Sequence, residues 1–219
     1  MMINVAIDGP AGAGKSTVAK AAAKKLGFIY VDTGALYRTV GVNALRKGID
    51  PKDAEKVKAT LDDIDVSLGF VDGSQHVFLN GEDVSEEIRL PASSMAASAV
   101  SAIPEVREFL LSLQRDIAKK NNCLMDGRDI GTVILPDAQY KFFFTASAEI
   151  RADRRCKELK EKGIPADYET VLSEIKERDY NDSHRETAPL KQADDAVLID
   201  SSYMTIEEAV DKIVSYIKG

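Results

Sequence analysis

The eight residues Gly9-Pro10-Ala11-Gly12-Ala13-Gly14-Lys15-Ser16 constrain this chain more than any other stretch. They fit G-x-x-x-x-G-K-[ST]. They follow the alternating run Ile3-Asn4-Val5-Ala6-Ile7-Asp8 and precede a helical pattern from Lys15 to Leu26 that stops at Gly27. Strand, glycine-rich turn and helix in that order are the context a phosphate-binding P-loop requires. Its glycines let backbone N–H groups wrap a phosphate, and the helix N-terminus adds the positive end of a dipole. Lys15 reaches β and γ oxygens, and Ser16 can ligate Mg2+. Together with Thr17, these residues are the expected binding segment for ATP as phosphoryl donor.

The rest of the chain builds an α/β domain around that loop. Short apolar runs bounded by turn signals occur near residues 3–7, 28–31, 123–125, 141–144 and 196–199, with helical stretches between most of them. That alternation predicts an α/β domain with a mainly parallel sheet flanked by helices, and with the P-loop motif the three-layer P-loop NTPase fold. Pro104 suits a first helical turn, and Thr205-Ile206-Glu207-Glu208 reads as a capping box. Residues of about 62–85 break the pattern: Val66 to Phe70 and Val77 to Leu79 flank Asp72-Gly73, and Asn80-Gly81 follows at once. Two tight-turn signals between short strands predict a small antiparallel insertion. The expected organisation is one unit with a core at about 1–34, 105–145 and 186–219. An acceptor-binding region at about 35–104 holds the insertion, and lid and binding helices occupy about 146–185.

A net charge of −7 opposes broad nucleic-acid binding, which needs a basic face to displace counterions. An anionic substrate must then meet local cations. Lys15, Arg38, Arg107, Arg128, the set Arg151, Arg154 and Arg155, then Arg178 and Arg185 supply them, while the acidic stretch Asp53 to Asp65 reads as a solvated face. The N-terminus lacks a basic and apolar leader, and no apolar run is long enough to span a bilayer. Cys123 and Cys156 form no metal-ligand pattern, and His76 and His184 are isolated. A cytoplasmic location, no membrane or nucleic-acid partner and a monomer are the expectations.

Cys123-Leu124-Met125-Asp126 is a strand ending in a carboxylate. Asp126 is either a second Mg2+-side acid, acting directly or through water, or a residue that fixes the following loop. No N-K-x-D or T-K-x-D guanine reader occurs, and the chain is short for a motor. What remains is a small kinase.

Three further segments narrow the acceptor: Asp32-Thr33-Gly34-Ala35-Leu36-Tyr37-Arg38, Asp126-Gly127-Arg128-Asp129-Ile130-Gly131-Thr132, and Glu177-Arg178-Asp179-Tyr180-Asn181-Asp182-Ser183-His184-Arg185. With the P-loop they closely resemble the bacterial cytidylate kinases, over the whole length and including the insertion of the longer bacterial type. The resemblance implies that Thr33, Arg38, Arg128 and Arg185 hold the acceptor phosphate of CMP or dCMP, which suits guanidinium forks on a dianion. It assigns the cytosine edge to Ser98, Arg107 and Asp129, the last accepting from the exocyclic amine where uracil presents a carbonyl. It assigns the ribose to Arg178 and Asp182, four residues apart and on one face if their helix continues that far.

Several hydroxyls lie near Ser98, and its phase relative to Arg107 supports the choice that the resemblance implies. The helix beginning near Arg151, Arg154 and Arg155 resembles the family's lid over the ATP phosphates. The alternative for it is a solvated turn paired with Glu149 and Glu158. Asp129 could likewise pair simply with Arg128. The reaction expected is transfer of the γ-phosphoryl group of ATP to CMP or dCMP, with a phosphate oxygen as nucleophile and no general base. Rival readings are a P-loop kinase for UMP, AMP or shikimate, and a nucleotide-binding switch.

Overall fold

A computed structural model of the chain describes residues 2–71, 74–161 and 163–218. In chain order the first elements are β1 (Asn4–Asp8), α1 (Lys15–Leu26), β2 (Ile29–Asp32), α2 (Thr33–Arg46) and α3 (Ala54–Lys58). Then come β3 (Val66–Val71), β4 (Ser74–Leu79), β5 (Glu82–Asp83), α4 (Pro91–Val100), α5 (Pro104–Lys120) and β6 (Cys123–Gly127). A π-helical turn at Ile130–Ile134 leads to β7 (Tyr140–Thr145), α6 (Ala148–Glu161), α7 (Tyr168–His184), β8 (Val197–Asp200) and α8 (Ile206–Lys218). A five-stranded sheet has the order β2-β6-β1-β7-β8, and a separate three-stranded sheet the order β3-β4-β5. By packing, the chain divides into two compact units, residues 3–28 with 124–219, and residues 29–123.

In the first unit, β1 pairs in parallel with β7, Val5 facing Tyr140 and Asp8 facing Phe143, and β7 pairs in parallel with β8. Val5, Ala6, Ile7, Phe142, Phe144 and Ile199 are buried, as strands covered on both faces require. The strand ends place Asp8 at the carboxyl edge of the sheet, where open α/β folds bind ligands. Immediately beyond it Gly9 turns with φ of 144° so close to β7 that a Cβ would lie 2.1 Å from the Phe144 carbonyl oxygen. Only glycine permits that path. Helix α1 ends where expected, at Gly27. At α8 the Thr205 hydroxyl accepts the Glu208 N–H while the Glu208 carboxylate accepts the Thr205 N–H, the capping box read from the sequence.

The second unit gathers its core from Leu36, Val40, Val57, Val77, Leu79, Val84, Ile88, Val100, Val106 and Leu110. Helix α2 packs against α4, and Gly41 makes the approach close: a Cβ there would meet that of Ala96 at 2.8 Å. Strands β3, β4 and β5 pair antiparallel, as the alternating pattern predicts. The Asn80-Gly81 turn has positive φ at both residues, 53° and 82°, the geometry of a two-residue hairpin. The Asp72-Gly73 signal lies outside the described residues. Ser98 and Arg107 stand on different helices, α4 and α5, because the chain breaks at residues 101–103 before Pro104 restarts it. A continuous helical phase between them, the support offered for Ser98 beside the resemblance, therefore does not hold. Among the described residues no helix is long and apolar enough to cross a membrane.

Candidate active site

The P-loop segment opens the first unit's site. Lys15 is buried, and its ammonium donates to the Pro10 carbonyl at 2.8 Å. Burial, reinforced by the neighbouring Arg128 guanidinium, pushes its pKa down to about 7. The Ser16 hydroxyl donates to Asp126 Oδ2 at 2.7 Å, so a carboxylate near the end of β6 stands beside a hydroxyl in the first turn of α1. A hydroxyl and a carboxylate are hard oxygen donors that suit Mg2+, which takes one or two protein oxygens and completes its shell with water and phosphate. Among the described residues no group of three or more His, Cys, Asp or Glu gathers that could hold a metal ion.

A cleft of about 340 Å³ is lined by Gly12, Gly14, Lys15, Ser16, Thr17, Arg151, Arg154, Arg155 and Glu158. The three arginines of α6 differ within it. Arg151 is buried and held by Asp179 through two bonds at 3.0 and 2.5 Å, by the Ala146 carbonyl at 2.9 Å and by the Ala11 carbonyl at 3.1 Å. Arg154 donates to the Ser201 carbonyl at 2.6 Å and the Ser202 carbonyl at 3.3 Å, beyond the end of β8. Arg155 pairs with Glu158 at 2.8 Å, both side chains nearly half exposed, which is the solvated pairing weighed against a lid role.

The segment after β6 carries the densest charge. Arg128 donates from Nε to Asp182 at 2.8 Å and from Nη1 to the Gly127 carbonyl at 3.1 Å. Arg185 donates to the Ala188 carbonyl at 2.7 Å and faces Asp129 at 3.4 Å. Asp129 therefore stands with Arg185, and Arg128 with Asp182. Helix α7 runs to His184, so Arg178 and Asp182 do share one helix. Sequence reasoning missed what fixes this segment. The Asp8 carboxylate accepts the Ile130 and Gly131 N–H groups, each at 2.7 Å, and so caps the π-helical turn that follows Arg128 and Asp129. Burial pushes the Asp8 pKa up to about 6 against those two bonds. The signal was an aspartate ending an otherwise apolar central strand.

In the second unit, Asp32 caps α2 by accepting the Ala35 N–H at 3.1 Å and holds Arg38 at 2.6 Å. Thr33 is buried at the first position of α2. Arg107 is buried with its guanidinium 5.5 Å from the centre of the Tyr37 ring, and it donates to the Ser101 carbonyl at 3.3 Å. Ser98 lies near the end of α4.

A family model for cytidylate kinase matches residues 5–219. The chain belongs to the cytidylate kinase family. It is 56% identical over 212 residues to a cytidylate kinase of Caldicellulosiruptor saccharolyticus, covering 97% of this chain and 94% of that one. A Clostridium botulinum cytidylate kinase is 54% identical over 216 residues, covering 99% and 98%. A shikimate kinase structure from Bacteroides thetaiotaomicron superposes with a TM-score of 0.50 at 12% identity, covering all of both chains, a likeness of fold alone. Membership in the cytidylate kinase family makes this chain a P-loop kinase whose phosphoryl donor is ATP.

Proposed function

We propose that this cytidylate kinase family member transfers the γ-phosphoryl group of ATP to CMP or dCMP, giving ADP and CDP or dCDP in pyrimidine nucleotide metabolism. The observation that carries the reading is the Ser16–Asp126 pair beside a complete P-loop lysine, in a chain matched to this family from end to end. The P-loop segment from Gly9 to Thr17, through its backbone N–H groups other than that of the imino residue Pro10, and Lys15 hold the ATP phosphates, with Arg154 and Arg155 closing over them. Ser16 and Asp126 would hold Mg2+, which when bound neutralises charge on the donor phosphates.

Thr33, Arg38, Arg128 and Arg185 bind the acceptor phosphate, Arg178 and Asp182 the ribose, and Ser98, Arg107 and Asp129 the cytosine. The attacking phosphate oxygen is already ionised near neutral pH, so no side chain need remove a proton. Catalysis falls to in-line positioning and to the charge of Lys15, Arg128, Arg154, Arg155 and Arg185. Cys123 and Cys156 form no disulfide, which suits a reducing cytoplasm, and a monomer without nucleic-acid or membrane partners suffices for the reaction.

The base assignment is tested by Asp129→Asn. An amide can donate to the uracil carbonyl, so the variant is expected to lower the CMP-to-UMP ratio of kcat/KM by roughly a hundredfold, within the discrimination a lost polar contact produces. An unchanged ratio removes Asp129 from the base pocket.

A further inference from the structure

The antiparallel insertion has no part in the reaction described above, yet one of its side chains reaches the start of α2. Gln75 lies on β4, facing Phe70 of β3. Its Oε1 accepts the Asp32 N–H at 2.8 Å, and its Nε2 donates to the Asp32 carbonyl at 3.2 Å. A single side-chain amide thus satisfies both backbone groups of one residue, as a neighbouring strand would, and fixes that residue in position and in rotation.

Asp32 is the last residue of β2 and the N-cap of α2. Its carboxylate divides its oxygens: Oδ1 accepts the Ala35 N–H and Oδ2 accepts Arg38 Nη2 at 2.6 Å. Gly34 leaves room for this, since a Cβ there would sit 3.1 Å from both Arg38 Nη1 and Asp32 Oδ1. The guanidinium of Arg38 is therefore folded back over the first turn of α2 and held there by a residue whose backbone Gln75 clamps. At the other end of α2, Arg46 bonds Glu82 of β5 at 2.8 and 2.9 Å and also bonds Glu87. The insertion is tied to both ends of the helix that carries Arg38.

We propose that Gln75 is a positioning residue for the acceptor: by clamping the Asp32 backbone it orients the carboxylate that presents Arg38 to the acceptor phosphate. The inference rests on the acceptor-phosphate role of Arg38 stated above. An arginine side chain left to itself samples many rotamers, and ordering it in advance spares that cost on binding. The insertion then acts on affinity for the acceptor, not on the donor.

The test is Gln75→Met, which keeps the length and packing of the side chain and removes both bonds, measured alone and with Arg38→Ala. Gln75→Met is expected to raise KM for CMP about tenfold while KM for ATP stays within about twofold, the scale of two lost hydrogen bonds felt through one intermediary. Because Gln75 works through Arg38, the same change in the Arg38→Ala background is expected to add less than about twofold. Gln75→Glu, which keeps only the acceptor bond and sets a charge against the Asp32 carbonyl, should also raise KM for CMP.

If Arg38→Ala raises KM for CMP but Gln75→Met does not, the positioning role is wrong and the acceptor reading stands. Equal rises in both backgrounds overturn the route through Arg38. If Arg38→Ala itself leaves KM for CMP unchanged, its acceptor role and this inference fall together.

Discussion

Arg151 offers a prediction that separates an arginine built into the fold from one free to meet substrate. It is 4% exposed, and its guanidinium is consumed by Asp179 on α7, by the Ala146 carbonyl and by the Ala11 carbonyl of the P-loop. Arg151→Met keeps the stem but leaves the Asp179 carboxylate without its partner. Removing one member of a buried pair costs about 3–5 kcal/mol. The Asp179 side chain is 27% exposed and can be partly rehydrated, which places the loss at the lower end, about 3 kcal/mol. For a chain of this size that corresponds to a fall in Tm of about 6–12 °C.

Thermal and urea unfolding of Arg151→Met, Asp179→Asn and the double variant give the coupling directly. Asp179→Asn should cost little once Arg151 is gone, because no unpaired charge is then left, for a coupling of about 2 kcal/mol. A loss under about 1 kcal/mol for Arg151→Met, or additive single effects, would refute the reasoning and return Arg151 to the set of mobile lid cations.

Two further outcomes follow from the P-loop. Lys15 has a depressed pKa of about 7 in the free protein, and bound phosphates favour its charged form, so ATP binding must take up a proton above that pH. Affinity for ATP in EDTA should weaken roughly fifteenfold from about pH 7 to about pH 8.5. Calorimetry in two buffers of different ionisation enthalpy would detect the uptake, and a pH-independent Kd without it contradicts the assignment. Gly9→Ala would drive a Cβ into the Phe144 carbonyl and demand an unfavourable φ, so it should destabilise by at least about 3 kcal/mol and abolish ATP binding. Wild-type stability with intact binding would refute that geometry.

Local signals were legible in the sequence and long-range pairings were not. The P-loop, the stop at Gly27, the start at Pro104, the capping box at Thr205 and the Asn80-Gly81 turn each depend on a few adjacent residues whose backbone preferences point one way. Asp8, by contrast, finds its partners 122 and 123 residues later, and its place at the end of an apolar strand marks it as unusual without naming the turn after Asp129 as what it caps. Arg151 and Asp179 look like ordinary members of two charged helices until packing brings α6 against α7. The pairing of Asp129 with Arg185, where adjacency suggests Arg128, is of the same kind. The inference of a shared phase for Ser98 and Arg107 failed because a three-residue break between helices resets the helical register. Gln75 gave no signal either, since an amide in a two-sided strand reads as surface.

Whether the acceptor is a cytidine monophosphate is decided by steady-state ADP formation from MgATP against CMP, dCMP, UMP, AMP, GMP and shikimate. The account predicts turnover concentrated on CMP and dCMP with UMP far behind. Equal or faster turnover of UMP, AMP or shikimate would leave a P-loop kinase standing and contradict the cytosine-binding roles proposed for Ser98, Arg107 and Asp129.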